Sequence, residues 1–268
     1  MIISVINHTL GFLSDAEVQT AIRAINRQIA EDFAPHWGMT ATLKLEGHAG
    51  LPMTSDRQDM QRAVDMRGDG VIYLWHPIDT RSGLGYHARN FLGIPYGFIY
   101  PAIAEELRET WTVSLSHEAL EMIIDPNVNL LVMGPHPADR SHTVVFWYEA
   151  CDAVQGQDYD IEGIPVSNFV LPHYFTTSEE PGGRNDFLNV APGGVPLKSF
   201  GVSPGGYSGF FDPLSGRHQT FAIEGDDFAR RRLQVKQGLG LARRGQRYQN
   251  QMTTGLSESA AFRPFPGL

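Results

Sequence analysis

The sequence predicts an α+β protein: a small mixed sheet backed by a long helix, with a second, buried helix and a loop-rich C-terminal region. Three observations support this fold class. Apolar residues repeat at helical spacing from Val18 to Phe33, several short apolar runs have the length of strands, and a second helical segment follows them at residues 109–124. An order of strand, long helix, strands and helix is typical of a sheet layer packed on a helix layer.

The first helix is the most clearly marked element. Ser14 and Glu17 form a capping box, in which the serine hydroxyl and the glutamate carboxylate satisfy each other's backbone N–H groups. Helical periodicity follows, and we expect Pro35 to end it, because proline cannot donate the helical hydrogen bond.

The strand signals are short apolar or alternating segments bounded by turn residues. Residues 86–100, interrupted by Gly93 and Pro95, predict an edge strand or a hairpin above a cleft. Residues 56–65 are compatible with a short helix. The remaining strand-like segments are residues 2–6, 40–46, 70–75 and 143–148.

Composition limits the function classes. The net charge of −9 makes non-specific nucleic-acid binding unlikely, and the single cysteine, Cys151, excludes an internal disulfide. No run approaches the roughly 18 apolar residues that a membrane helix needs, and the first residues lack a basic leader. We therefore expect a cytoplasmic protein that neither spans a membrane nor binds nucleic acid.

The change in composition along the chain predicts three regions. Residues 1–175 form a metal-binding domain, residues 176–237 a loop-rich extension packed on it, and residues 238–268 a flexible polar and basic tail. The basic residues near the tail are interpreted as a solvated helix and tail, or alternatively as a contact for an acidic partner. They are Arg230, Arg231, Arg232, Lys236, Arg243, Arg244 and Arg247.

The second helix carries the candidate metal-binding and catalytic residues. Residues 115–125 are apolar on nearly every side, which is typical of a buried helix. Burying unpaired carboxylates costs several kcal/mol, so they need a positive partner. Arg89 and Arg108 are the nearest arginines, and this scarcity favours a metal ion over an ion pair. The polar residues of the segment are His117, Glu118, Glu121 and Asp125.

The spacing of His117 and Glu121 predicts a metal site. The two residues are one helical turn apart and project from the same face. They match the H-E-x-x-H zinc helix with glutamate in place of the second histidine, and a carboxylate is an acceptable zinc ligand. In that arrangement the first and last residues bind the metal, and the intervening Glu118 is the general base. The sequence predicts one Zn²⁺ per chain, and the extra carboxylate widens the choice to other divalent metals.

A third ligand is expected from the segment after residues 143–148. Glu149 is the preferred ligand, with Asp152 accepting the other ring N–H of His117. The reverse assignment stays open, and so does Asp125. Cys151 is interpreted as a buried apolar side chain.

Other polar residues could complete the site. His136 and His142 are rival ligands, although each is more typical of a loop. An enzyme would also need a group to stabilise an oxyanion, and the sequence does not choose among the candidates, each of which is by default a packing or surface residue. These candidates are Tyr86, His87, Tyr148, His173, Tyr174 and Tyr207.

Over residues 1–175, this order of elements and motifs resembles the N-terminal half of zincin-type metallopeptidases. Glu149 followed by Asp152 is similar to the downstream glutamate and aspartate of the gluzincin branch. The resemblance implies a zincin-like fold, with His117, Glu121 and Glu149 as ligands and Glu118 as general base. The chain departs from that pattern in its missing second histidine, its spacing to Glu149 and the lack of a Met-turn.

The same motifs also resemble a group of bacterial and phage-associated proteins, in which a segment similar to residues 166–170 follows the second motif. The leading hypothesis is a zinc-dependent hydrolase that cleaves a peptide or protein. An edge strand near residues 96–100 would bind the substrate by strand addition. One alternative is a structural or assembly protein in which the metal cross-links the helix to the Glu149 segment. A carboxylate-rich calcium site is a third reading.

Overall fold

The computed structural model describes residues 1–47, 66–76, 84–90, 92–178, 183–191, 194–225, 227 and 230–231. The short helix predicted at residues 56–65 and the tail at 238–268 lie outside these ranges. Within them, the predicted α+β class is confirmed. The first sheet contains five strands: β1 (Ile2–His8), β2 (Thr42–Glu46), β3 (Gly70–Trp75), β4 (Gly85–Arg89) and β5 (Pro95–Ile99).

The five strands follow the order β2-β1-β3-β5-β4. β1 pairs in parallel with β2 and β3, β3 pairs in parallel with β5, and β4 runs antiparallel to β5. The hairpin predicted at residues 86–100 is therefore confirmed. The expectation that residues 96–100 form an exposed edge is wrong, because β5 lies between β3 and β4. The edge strand is β4 itself.

The first helix begins with the predicted capping box. In α1 (Asp15–Arg27), the Ser14 hydroxyl accepts the Glu17 N–H, and the Glu17 carboxylate accepts the Ser14 N–H at 2.8 Å. The prediction that Pro35 ends this helix is wrong. The chain continues through a π-helical segment, Gln28–Phe33, into α2 (Ala34–Trp37), and stops at the left-handed Gly38. Pro35 lies in the first turn of α2, directly after the π-helical segment.

The two faces of the sheet pack differently. The face carrying Ile72 and Leu74 joins the main apolar core, whereas the alternate residues Val71 and Tyr73 pack in a second, aromatic cluster. This separation follows from the alternation of side chains along a strand. The second cluster also contacts α3 (Pro101–Glu106) through Ile103.

A second, antiparallel sheet follows, with β6 (Leu131–Pro135), β7 (Thr143–Trp147), β10 (Tyr207–Asp212) and β11 (Arg217–Ala222). Its order is β11-β10-β7-β6. The predicted extension at residues 176–237 thus contributes two strands and pairs directly with β7. A hairpin of β8 (Asp158–Ile161) and β9 (Ile164–Ser167) lies between the two pairs in the chain.

The second predicted helix is α4 (Trp111–Ile124), in which every residue from Thr112 to Ile124 is buried. It packs between the edge strand β4 and the hairpin strand β9. At Gly85 an added Cβ would lie 2.8 Å from Ile99 Cδ1 and 3.4 Å from Glu118 Cγ, so β4 approaches α4 closely. This contact brings the polar residues of the helix against the sheet.

Among the described residues, no helix combines the length and apolar character that crossing a membrane requires.

Candidate metal centre

Helix α4 supplies three polar side chains to one buried cluster. His117 is 5% exposed, Glu118 8% and Glu121 3%. His117 and Glu121 share a face, as predicted from their spacing, and Glu118 projects toward β4. We name the complete set of six side chains the α4 cluster: His87, His117, Glu118, Glu121, Glu149 and Asp152.

Two carboxylates converge on one nitrogen of His117. Its Nε2 atom lies 3.3 Å from Glu121 Oε2 and 3.2 Å from Asp152 Oδ1. A tetrahedron whose corners lie about 2.0–2.1 Å from its centre, the usual range for zinc with nitrogen and oxygen ligands, has edges of about 3.3–3.4 Å. The separations therefore fit three ligands of one divalent ion.

The turn after β7 positions the two downstream carboxylates. Glu149 precedes the turn, and Asp152 begins a short 3-10 segment, Asp152–Val154. Between them, the backbone N–H of Cys151 donates to Glu121 Oε1 at 3.0 Å, which attaches the turn to α4. Glu121 thus presents its other oxygen, Oε2, to His117.

The third element is β4, which contributes His87. This residue is 1% exposed. Its Nδ1 atom lies 2.9 Å from Glu118 Oε2 and 3.7 Å from Glu121 Oε2, and its Nε2 atom lies 3.9 Å from Glu149 Oε2. His87 therefore connects the general base predicted from the sequence to the opposite side of the cluster.

Burial and neighbouring charges shift the pKa values of His117 and Glu121 in opposite directions. Burial alone would lower the pKa of His117, but the charge of Glu121 and the contact with Asp152 hold that pKa well above its usual range. Burial raises the pKa of Glu121, an effect that the neighbouring His117 partly offsets. Protonation of these groups would compete with metal binding, because ligand atoms must be deprotonated.

The geometry favours the alternative ligand assignment over the preferred one. Asp152, rather than Glu149, lies beside His117 and Glu121, and it faces the same ring nitrogen as Glu121. Glu149 instead groups with His87 and Glu121. The identity of the third ligand remains a prediction, with Asp152 as the residue that the distances support.

Other candidates lie outside the cluster or have different roles. The Asp125 carboxylate accepts the N–H groups of Asn129 and Leu130, so it stabilises the turn that ends α4. Cys151 is fully buried, as predicted, and burial raises the pKa of its thiol. His142 pairs with Asp212 at 2.9 Å.

His136 is likewise engaged elsewhere, since its Nδ1 atom accepts the backbone N–H groups of Ala138 and Asp139. Sequence reasoning placed His87 only among candidates for oxyanion stabilisation. A usable signal was present: Tyr86 and Ala88 belong to the aromatic face of the sheet, so the residue between them must face α4.

A small depression of about 10 Å³, room for roughly one water molecule, adjoins the cluster. Glu149 and Asp152 lie in its wall, together with Ser208 and Gly209. The rest of the lining is mostly aromatic and consists of Phe146, Trp147, Ala153, Tyr174, Phe175 and Tyr207. Two carboxylates of the cluster therefore border a small depression that is partly open to solvent.

Comparison of the sequence with models of known protein families and with curated proteins gives no match.

Proposed function

We propose that this protein is a zinc-dependent hydrolase that cleaves peptides, with Glu118 as its general base. The observation that carries this proposal is the convergence of Glu121 and Asp152 on His117 Nε2, next to Glu118 on the same helix. Buried carboxylates in such numbers need a positive partner, and the donor set of one imidazole and two carboxylates suits a divalent metal.

His117, Glu121 and Asp152 would hold the ion. A bound zinc ion would supply a Lewis acid that polarises a carbonyl group and makes a water molecule more acidic. The role of the three side chains is to fix the ion on α4, and the N–H of Cys151 supports this by orienting Glu121.

Glu118 would move the proton. Its Oε2 atom contacts His87 Nδ1 at 2.9 Å, which fixes the carboxylate beside the ligands. From this position it would accept a proton from the attacking water and deliver it to the leaving amine, the two steps that general acid–base catalysis requires.

Access to the site supports catalysis over a structural role. A structural metal site is closed by protein ligands, whereas a catalytic site keeps a position open to substrate. The depression at Glu149 and Asp152 has room for about one water molecule, which an open coordination position would hold.

The position of β4 supports a peptide as the substrate. It is an antiparallel strand at the edge of the sheet, next to the helix that carries the proposed ligands. An extended peptide can add to such an edge through main-chain hydrogen bonds. The same order of elements supports the resemblance to zincin-type peptidases.

The test is hydrolysis of a quenched-fluorescence peptide library by zinc-loaded protein. Glu118→Gln should retain zinc but lower kcat/KM by about 10²–10⁴-fold, because only the proton carrier changes. Glu105→Gln, at an exposed glutamate of α3, is the matched control and should be as active as wild type. Full activity of Glu118→Gln, or no cleavage by the zinc-loaded wild type, would contradict the proposal.

A further inference from the structure

Glu121 belongs to two groups of potential metal ligands. One is the group already described, with His117 and Asp152, and the other consists of His87, Glu121 and Glu149. In each group the ligand atoms all lie within 4.8 Å of one another. The two groups share only the carboxylate of Glu121, which stands between them.

The second group contains a buried nitrogen that lacks a hydrogen bond. Because a carboxylate only accepts, the 2.9 Å contact with Glu118 Oε2 assigns the proton of neutral His87 to Nδ1. The lone pair of Nε2 then points toward Glu149 Oε2, 3.9 Å away. Among the described residues, Nε2 has no hydrogen-bond partner. A buried ring nitrogen that has a lone pair, no hydrogen-bond partner and a carboxylate nearby is a candidate ligand for a cation.

Glu118 and His87 also form an arrangement that is common around metals. A ligating histidine usually donates its second ring N–H to a carboxylate, which fixes the tautomer and the orientation of the ring. Glu118 is placed to do this for His87. Glu118 would thus position a ligand of the second group as well as serve the first.

We propose that the α4 cluster is a dinuclear site, in which Glu121 bridges two divalent cations. His117 and Asp152 hold one ion, and His87 and Glu149 hold the other. The inference rests on the metal site of the proposed function and adds a second ion to it. Two-metal sites serve hydrolysis by stabilising both the attacking and the leaving group.

Zinc stoichiometry of the full-length protein, measured by equilibrium dialysis at saturating zinc, tests the proposal. Wild type should bind about two zinc ions per chain. His87→Ala should bind about one, since it lacks a ligand of the second group only. His142→Ala removes a histidine that pairs with Asp212 outside the cluster, and it should bind as wild type does.

A second variant tests the same ligand group in case His87→Ala does not fold. Glu149→Gln keeps the shape of the side chain and should also reduce the stoichiometry from about two to about one. A wild type that binds a single zinc, or variants that bind as many ions as wild type, would overturn the dinuclear site. A single ion that is lost in His117→Ala would leave the proposed hydrolase intact, whereas a wild type without zinc would overturn both proposals.

Discussion

Two buried polar clusters of this protein differ in how their hydrogen-bonding groups are matched. Asn168 is fully buried, and its amide donates to Gln157 and Asp186 while its oxygen accepts the N–H groups of Phe169 and Leu188. Every donor and acceptor of that side chain is used. In the α4 cluster, by contrast, the Nε2 atom of His87 has no hydrogen-bond partner among the described residues.

This difference separates a cluster with a structural role from a cluster that could bind a ligand. A buried side chain whose donors and acceptors are all used can stabilise the fold without a ligand, as Asn168 does between the hairpin and the residues after 183. A cluster with surplus carboxylates is stable only with a cation or with bound protons. The predictions below separate these two situations, beginning with the largest expected effect.

Asn168→Ala should lower the free energy of unfolding by about 3–5 kcal/mol, because several buried partners lose their hydrogen bonds together. Chemical denaturation followed by circular dichroism measures this. Asn127→Ala, at an exposed asparagine, is the control and should change stability by less than about 0.5 kcal/mol. A loss for Asn168→Ala as small as that of the control would show that the matched cluster contributes little.

Zinc should stabilise the protein through the α4 cluster alone. At a free zinc concentration about 100 times Kd, the free energy of unfolding should rise by about 2.7 kcal/mol. The gain should persist in Asn168→Ala and nearly vanish in Glu121→Gln, which alters the carboxylate common to both ligand groups. Denaturation curves with zinc and with a chelator provide the comparison. An equal gain in Glu121→Gln would place the zinc elsewhere.

Zinc binding should weaken as the pH falls. The pKa of His117 is raised by its carboxylate neighbours, so its proton competes with zinc at pH values above the ordinary value of about 6.5. Affinity should change about tenfold per pH unit for each displaced proton in that range. Calorimetry in buffers of different ionisation enthalpy counts the protons released. Binding without proton release at neutral pH would contradict the raised pKa.

Neutralising one carboxylate should change the free energy of unfolding in opposite directions in the two clusters. In zinc-free protein, Glu149→Gln should raise the free energy of unfolding by about 1 kcal/mol, because it relieves repulsion among buried carboxylates. Asp186→Asn should lower it by about 1 kcal/mol, because Asp186 accepts hydrogen bonds from Asn168 and Asn189. Denaturation of chelator-treated protein tests both predictions. Destabilisation by Glu149→Gln would show that repulsion among these carboxylates does not destabilise the zinc-free protein.

Local patterns predicted the parts of the site that lie within one element. His117 and Glu121 meet because residues four apart share a helix face, and the apolar neighbours of α4 predicted their burial. The capping box of α1 and the hairpin of β4 and β5 were predicted for the same reason. Each depends on residues close together in the chain.

Contacts between distant segments were harder to predict. His87 joins the cluster only because β4 pairs antiparallel with β5 and lies against α4. The choice between Glu149 and Asp152 depends on the turn that precedes the 3-10 segment at Asp152–Val154, and spacing alone does not specify its direction. The prediction that Pro35 ends the first helix was wrong because proline is tolerated in the first turn of a helical segment as well as after the end of a helix.

Anomalous diffraction from zinc-loaded crystals would show directly whether the α4 cluster binds metal. We expect a peak at the zinc absorption edge about 2.0–2.2 Å from His117 Nε2 and from carboxylate oxygens of Glu121 and Asp152. A zinc-loaded crystal without a peak in the α4 cluster, with His117 hydrogen-bonded directly to both carboxylates, would contradict it.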